Sequence, residues 1–518
     1  MVWHIIRKEL LVNILSLRFL IGFLIVVLMM GLVGFVLVKD YTARRDTYLS
    51  DVERHREGLK QTKVYSTIEV VADFPPSPLS VFSRGVRDLP TSIHVSPYHI
   101  PSLTEEGESG SRIEIGETSN RPYNPLLRVF ASIDLTFVIS TILSLFAILL
   151  VFDSFSGERE QGTLKLLLSS PTGRLQLLTG KFLGALLTLA IPLTVGFLEI
   201  MTLWFLSPGV TLDATYWAGF GLIYLFSLVF LAGFLALGLL VSLFARESSS
   251  GLMYLLLAWV LVAIVIPAGV GYLAEYARPQ ESGKKLMEGL EKQFSETTDK
   301  VKYQQKGPWW YASTDRTGSE SILSTTKEEI YNRIEYNKNV FPLKFQYAAD
   351  RYRLLEDYAM RLLRWKQMRD ALTRPSLCVL YRNIVEAISA TDIESYANAV
   401  KSARNYRDAL MNYLTPKVQT AAWFTRVLDY PELEPTEENM KSWNKIAEKE
   451  GQDVFYTKIL TWDRVAPLDL RDMPQPQIAL PSLAERLSQP LIDALILIGL
   501  TALFFILSLW KALRYRVF

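Results

Sequence analysis

Glu158, Arg159 and Glu160 are three consecutive charged residues that directly follow an apolar run ending at Phe152. At that position they meet water and a protein surface rather than lipid, and the chemistry they offer is ion pairing and hydrogen bonding. Gly157 and Gly162 bracket them and permit sharp backbone reversals. Thr163 can cap a short helix that would run to Ser169 and stop at Pro171, with Leu164, Leu167 and Leu168 lying in the membrane interface. Residues 153–181 are therefore expected to join a charged contact surface to a short Leu-rich lever, on which a partner protein can push.

Other chemistry finds no residues to carry it. Gly173 and Gly180-Lys181 superficially resemble a phosphate-binding loop, but Leu175 stands where that motif needs glycine and Phe182 where it needs Ser or Thr. Any ATP-driven role therefore requires a separate ATPase chain. His94 and His99 flank Pro97 without a glutamate or cysteine partner, and with His4 and His55 they make no recognisable metal set. No Ser/His/Asp arrangement or Gly-x-Ser-x-Gly elbow is visible, so the chain is not read as an enzyme. Cys378 is the single cysteine, which rules out an intrachain disulfide.

The elements that position the charged segment are membrane helices. Half of the 518 residues are hydrophobic, and they cluster into runs of the length that crosses a bilayer, roughly 20 residues. Six such runs occur, at 17–38, 133–152, 182–206, 217–244, 252–273 and 491–510. Trp3, Ile6, Leu10, Ile14 and Leu17 recur at helical spacing opposite Arg7, Lys8 and Glu9, so residues 1–16 are expected to form an interfacial helix. Arg7 and Lys8 before the first run and Arg18 at its very start, with Lys511, Arg514 and Arg516 in the tail 511–518, are expected to place both termini in the cytoplasm. The net charge of +2 and the absence of a basic stripe argue against nucleic acid. The lack of Asn-x-Ser/Thr acceptors favours a bacterial inner-membrane protein over a secretory glycoprotein.

Two long stretches lie on the other side. In 39–132 a charged helical pattern runs to Lys60, prolines begin at Pro75, and short Ile/Val runs then predict a few strands, a small mixed α/β region. In 274–490 the spacing of Leu354, Tyr358, Leu362 and Trp365 predicts long packed helices standing above the membrane, followed by a Pro-rich return from Pro431 to Pro481. The fold class is a mainly α membrane protein of six spans carrying these two external regions.

The run Glu158-Arg159-Glu160-Gln161-Gly162-Thr163-Leu164, with Ser170-Pro171, Arg174 and Gly180-Lys181, resembles the signature of ABC type-2 exporter permeases. In that family the matching stretch is a coupling helix seated in a groove of the nucleotide-binding subunit. The resemblance implies ATPase contacts at Glu158, Arg159, Glu160, Gly162, Thr163 and Leu164, with support from Gly157, Pro171, Arg174 and Lys181. Residues 78–85 (PLSVFSRG), Asn124-Pro125, Asp134-Leu135, Ser389-Ala390-Thr391-Asp392 before Tyr396, and Arg514-Tyr515-Arg516 are similar to a subfamily with two external insertions.

The implied partners are two ATPase copies, which hold the ATP and Mg, a second permease copy or a related permease, lipid, and a periplasmic partner. Glu199 in the third run either pairs within the bundle or at its boundary or lines a substrate path, because a carboxylate in mid-membrane must be paired or face water, and it is the carboxylate candidate for that path. Pro267, Gly269 and Gly271 should kink or break the fifth helix, where the family has a re-entrant pair, and Pro267 and Gly269 are the other path candidates. Asp134 and Asp493 read as interfacial. The expected function is export of a substrate; the alternative is a non-transporting complex that transmits force to envelope partners.

Overall fold

The computed structural model describes residues 2–85, 92–106, 113–115, 133–164, 173–207, 212–279, 283–306, 309–313, 320–325, 327–423, 436–450, 466–488 and 490–514. The chain is a mainly α membrane protein. Among the described residues six helices are long and apolar enough to cross a bilayer: Leu17–Lys60, Leu135–Glu160, Arg174–Phe205, Ala214–Phe244, Ser248–Tyr276 and Leu491–Leu513. The second and fourth spans are central, with 67% and 61% of their apolar windows buried, whereas the fifth is peripheral at 11%. Leu257, Leu261 and Ile264 of the fifth span and Leu24, Leu28 and Leu32 of the first are exposed, as suits side chains that meet lipid.

The N-terminal helix Val2–Ile14 is separate from the first span. Ser16 ends the break between them by accepting a hydrogen bond from the Phe19 amide, the N-cap of the span. The first span then continues as one helix to Lys60, well past its apolar portion. The face that holds the N-terminal helix and the end of the sixth span at Leu513 is called the terminal face below, and the opposite one the insertion face.

On the insertion face the two long stretches share one core. Val70–Asp73 pairs antiparallel with Ser92–Val95, and the inward residues Val70, Ala72, Ile93 and Val95 cluster with Phe341, Tyr396, Val400, Ala403, Leu410 and Trp423. The long helix Lys327–Thr373 and the helix Ile393–Leu414 supply most of that second set. Arg407, largely buried, donates to the carbonyls of Ser96, Pro97 and His99, and so holds a loop of the first stretch on a helix of the second. Thr104–Glu106 pairs with Ile113–Ile115. A further hairpin, Trp309–Ser313 with Glu320–Thr325, lies within the predominantly helical second stretch. Its aromatic and β-branched residues suit a strand better than the helix expected there. His55 and His94 meet the carboxylates of Asp73 and Glu69 at 2.7 and 2.8 Å.

The second stretch does not stand clear of the membrane. Leu377, Leu380, Tyr381, Ile384, Val385 and Ile388 form one apolar stripe of the helix Leu377–Ile388 and belong to the same core as the spans. Two spans widen to receive it. The second has a π-helical stretch at Val138–Leu143 and the fifth at Leu261–Val265. Such turns free backbone carbonyls. Cys378 Sγ reaches the Ser140 carbonyl at 3.6 Å, and Ser376 Oγ reaches that of Val262 at 2.6 Å. The fifth span therefore does not break at Pro267: the π turn just before it accommodates the ring, and the helix runs on through Gly269 and Gly271 to Tyr276. The segment that enters the spans from the insertion face is Leu377–Ile388. Asp493 is likewise more than interfacial, since it accepts from Arg374 at 2.8 Å and Asn383 at 3.0 Å and so pins this helix to the sixth span.

Tyr381, fully buried, stacks on Phe230 and shares a hydrogen bond of 2.7 Å with Ser227 Oγ. Ser227 keeps a second bond, to the Ile223 carbonyl, when the tyrosine oxygen is removed. Tyr381→Phe is therefore expected to cost only about 1 kcal/mol. A small fall in unfolding temperature with unchanged oligomeric behaviour checks this.

The helix closes in a Schellman motif, the usual way of satisfying the last carbonyls of a helix. In it Ala390 N–H donates to Ala387 and Thr391 N–H to Glu386 at 3.0 Å, with Ala390 at φ 54°. Against that closure packs the loop of the first stretch. Gly85 has φ 51°, and a Cβ there would lie 2.0 Å from the Thr391 carbonyl oxygen. Arg84 pairs with Asp40 of the first span at 3.0 Å, and Asp134 both caps the second span and accepts from Ser83 and from the Arg84 amide. Two motifs far apart in sequence, residues 78–85 and Ser389-Ala390-Thr391, thus meet at one joint.

Candidate functional site

The second span bends at 152–155 on the terminal face and resumes as the short helix Ser156–Glu160. That bend exposes two amides, and the buried Ser242 hydroxyl of the fourth span accepts from both, from Phe155 at 3.0 Å and Ser156 at 3.2 Å. Asp153 pairs with Arg18 at the start of the first span at 2.7 Å.

Each charged residue expected to be a contact has a partner within the chain. Arg159 donates to the carbonyls of Leu243 and Ala245, the unsatisfied end of the fourth span. A cation is favoured there by the helix dipole. Glu160 accepts from the Ser248 amide and hydroxyl, both at 2.8 Å. It thereby caps the fifth span from outside, at the end where the dipole favours an anion. Glu158 accepts from Thr163 Oγ1 and lies 3.8 Å from Lys181 Nζ. Gly162 takes φ 73° in the turn that follows, and Leu164 is buried in the main core. That backbone angle is the reversal expected of a glycine at this position.

The helix therefore occupies Ser156–Glu160, around Gly157, where the sequence predicts a loop. The stretch predicted as the lever, up to Ser169, lies mostly outside the described residues, as do Pro171, Asn124-Pro125 and Tyr515-Arg516. Arg174, at the start of the third span, donates to the carbonyls of Ala512 and Leu513 at the end of the sixth span. Lys181, further into the third span, is only 5% exposed and pairs with Glu9 of the N-terminal helix at 3.1 Å.

Taken together, residues 153–181 contact or contain the same-face ends of all six spans. Glu160, Gln161 and Gly162 remain exposed on the terminal face. Ser242, Ser248, Glu9 and Arg18 complete this arrangement without being legible as site residues, because serines near span ends and charges on or beside an amphipathic helix carry no local signal of their partner.

The other candidates lie elsewhere. Glu199 faces Gly31 of the first span, its Oε2 3.3 Å from where a Cβ would stand, with no hydrogen-bond partner for that oxygen among the described residues. Pro267 and Gly269 lie on the peripheral fifth span, with Gly269 exposed and open space beside it. Nothing stands within 4 Å of a Cβ at Gly269, so the structure does not bring that residue to Glu199.

Residues 3–346 match the family model described as ABC-2 family transporter protein. Among curated proteins, the chain is similar to the probable ABC transporter permease protein NosY of Stutzerimonas stutzeri, with 38% identity over 125 residues, 24% of this chain and 45% of that one. It is also similar to the probable ABC transporter permease protein NosY of Pseudomonas aeruginosa, with 51% identity over 63 residues, 12% of this chain and 23% of that one. The matched part thus spans less than half the length of these curated relatives.

Proposed function

Because this chain belongs to the ABC-2 family of transporter proteins, and so is a transmembrane subunit of an ABC transporter, we propose that it is the permease half of an exporter driven by a separate ATPase docked on residues 153–181. The observation that carries this reading is the grip of that one segment on the ends of all six spans. A displacement applied there reaches every span at once. Arg159, Glu160 and Arg174 transmit it through helix ends, while Glu160, Gln161 and Gly162 offer the exposed surface. Glu158 and Thr163 form the rest of the contact; Leu164, expected there too, is instead buried in the main core and anchors the segment, with Gly157, Pro171 and Lys181 as further support.

In this reading the terminal face is the cytoplasm of a bacterium and the insertion face its periplasm. Two ATPase copies bind ATP and Mg, and two permeases, identical or related, enclose the path. Glu199, Pro267 and Gly269 are assigned to that path, the latter two from an exposed span that a second permease would cover.

A second reading is favoured by one observation. The first span is a single helix of 44 residues that runs from the membrane into the shared core of the insertions. Such a continuous helix is a rigid rod suited to carrying force. In that case the complex acts on a periplasmic protein and passes nothing.

Reconstitution with the ATPase in nanodiscs separates the two. An exporter is expected to show ATP hydrolysis stimulated severalfold by its substrate among candidate lipids, peptides and glycans. Indifference to all of these together with a response to a periplasmic protein sinks the export reading.

A further inference from the structure

We propose that Lys181 is an ion-pair exchange point, at which Glu9 holds the buried ammonium so that Glu158 can leave it for a basic side chain of the docking partner. The inference rests on the docking reading above and names the chemistry of that contact.

Lys181 is 5% exposed and reaches two carboxylates from two different elements. The contacts are unequal. Glu9 Oε1 is hydrogen-bonded at 3.1 Å, whereas Glu158 Oε1 stands at 3.8 Å and its other oxygen is held by Thr163. The longer separation is beyond hydrogen-bond reach. Glu158 is also the more exposed acid, at 23% against 16%, and lies beside the exposed Glu160-Gln161-Gly162 surface. A buried cation stripped of its partner is strongly destabilising. With Glu9 in place, Glu158 can be taken by an incoming cation while Lys181 stays compensated.

The position of Glu9 is itself built. A Cβ at Gly184 would lie 2.7 Å from Glu9 Cβ, and one at Gly180 would lie 2.6 Å from Ile5 Cγ2. Two glycines one turn apart let the N-terminal helix approach the third span closely enough for Glu9 to reach the ammonium. The Phe155 ring, its centroid 5.6 Å from Nζ, lines another side of the site. Its π face also favours the charge.

The test is titration of the purified ATPase onto the permease in nanodiscs. Glu9→Gln keeps the shape but forces Lys181 onto Glu158, and ATPase affinity is expected to fall about tenfold. Adding Lys181→Met removes the cation that captures Glu158, and affinity is expected to return to within about threefold of the starting value. Unchanged binding in the single variant overturns the proposal, as does failure of the double to restore it, which is what a merely structural pair would give. If the single variant does not fold, the double must fold and bind normally, or the proposal falls.

An ATPase-free arm keeps the two readings apart. With a fluorophore on Gln161→Cys in a Cys378→Ala background, Glu9→Gln is expected to raise anisotropy and the double to reverse it. Unchanged anisotropy overturns the exchange whether or not the ATPase docks. Normal exchange without any ATPase binding sinks only the docking reading.

Discussion

Replacing Glu158 and Glu160 together by lysine is expected to lower association with the ATPase by at least about a hundredfold, since charge reversal turns two attractive contacts repulsive across one interface. The structure predicts two local costs. A lysine at 158 faces the buried ammonium of Lys181, and a lysine at 160 sets a cation at the start of the fifth span. That start is the positive end of the helix dipole. The controls follow from these contacts. Glu158→Gln and Glu160→Gln retain hydrogen-bonding shape, so each should weaken docking less than the double reversal while leaving the fold intact. Co-purification from membranes, with monodispersity of the detergent-solubilised permease as the check on folding, reads the result. An ATPase that still co-purifies in full with the double variant removes the assignment of residues 153–181 as the docking segment.

Gly85→Val is expected to be the most damaging single substitution on the insertion face, at about 3–5 kcal/mol. Two independent terms add. The backbone there has φ 51°, and a Cβ would overlap the Thr391 carbonyl oxygen at 2.0 Å. A β-branched residue rarely adopts such a positive φ. Thr391 cannot retreat cheaply, because its amide closes the helix Leu377–Ile388 onto Glu386 and its neighbour Ala390 already sits at φ 54°. The Ile388 carbonyl is further tied to Arg486. Damage at Gly85 should therefore appear at a distance in sequence, as faster proteolysis and hydrogen exchange across 377–391 and a lower unfolding temperature. Gly85→Ala should show the same pattern more weakly. A valine variant with unchanged protection of 377–391 would show that the joint between the two insertions is not what seats that helix.

Much of the frame was legible because bilayer thickness is a blunt constraint. A run such as 217–244 can do little but cross, and the structure places Ala214–Phe244 there as a central helix. The charged run 158–160 was legible for the converse reason, that three such residues cannot remain in hydrocarbon. What these residues touch was not legible. Arg159 and Glu160 use much of their charge on the ends of the fourth and fifth spans, contacts 84 and 88 residues apart that no local spacing announces. The stripe of Leu377, Tyr381, Ile384 and Ile388 reads equally well as a helix of a bundle above the membrane, since periodicity reports an apolar face without saying what covers it. The residue type at 267 suggests a kink or a break, and the structure carries the helix past it through a π turn without breaking it.

By itself, then, the sequence determined which segments must leave water and which residues must stay in it. Hydrophobic length and charge act locally and survive any rearrangement of neighbours. Only the tertiary structure decided that the two insertions share a core, that one of their helices descends among the spans, and that a single charged segment gathers the ends of all six. Those outcomes depend on pairs such as Gly85 with Thr391 and Glu9 with Lys181. Each is formed by close approach of elements distant in sequence, and neither partner carries a mark of the other.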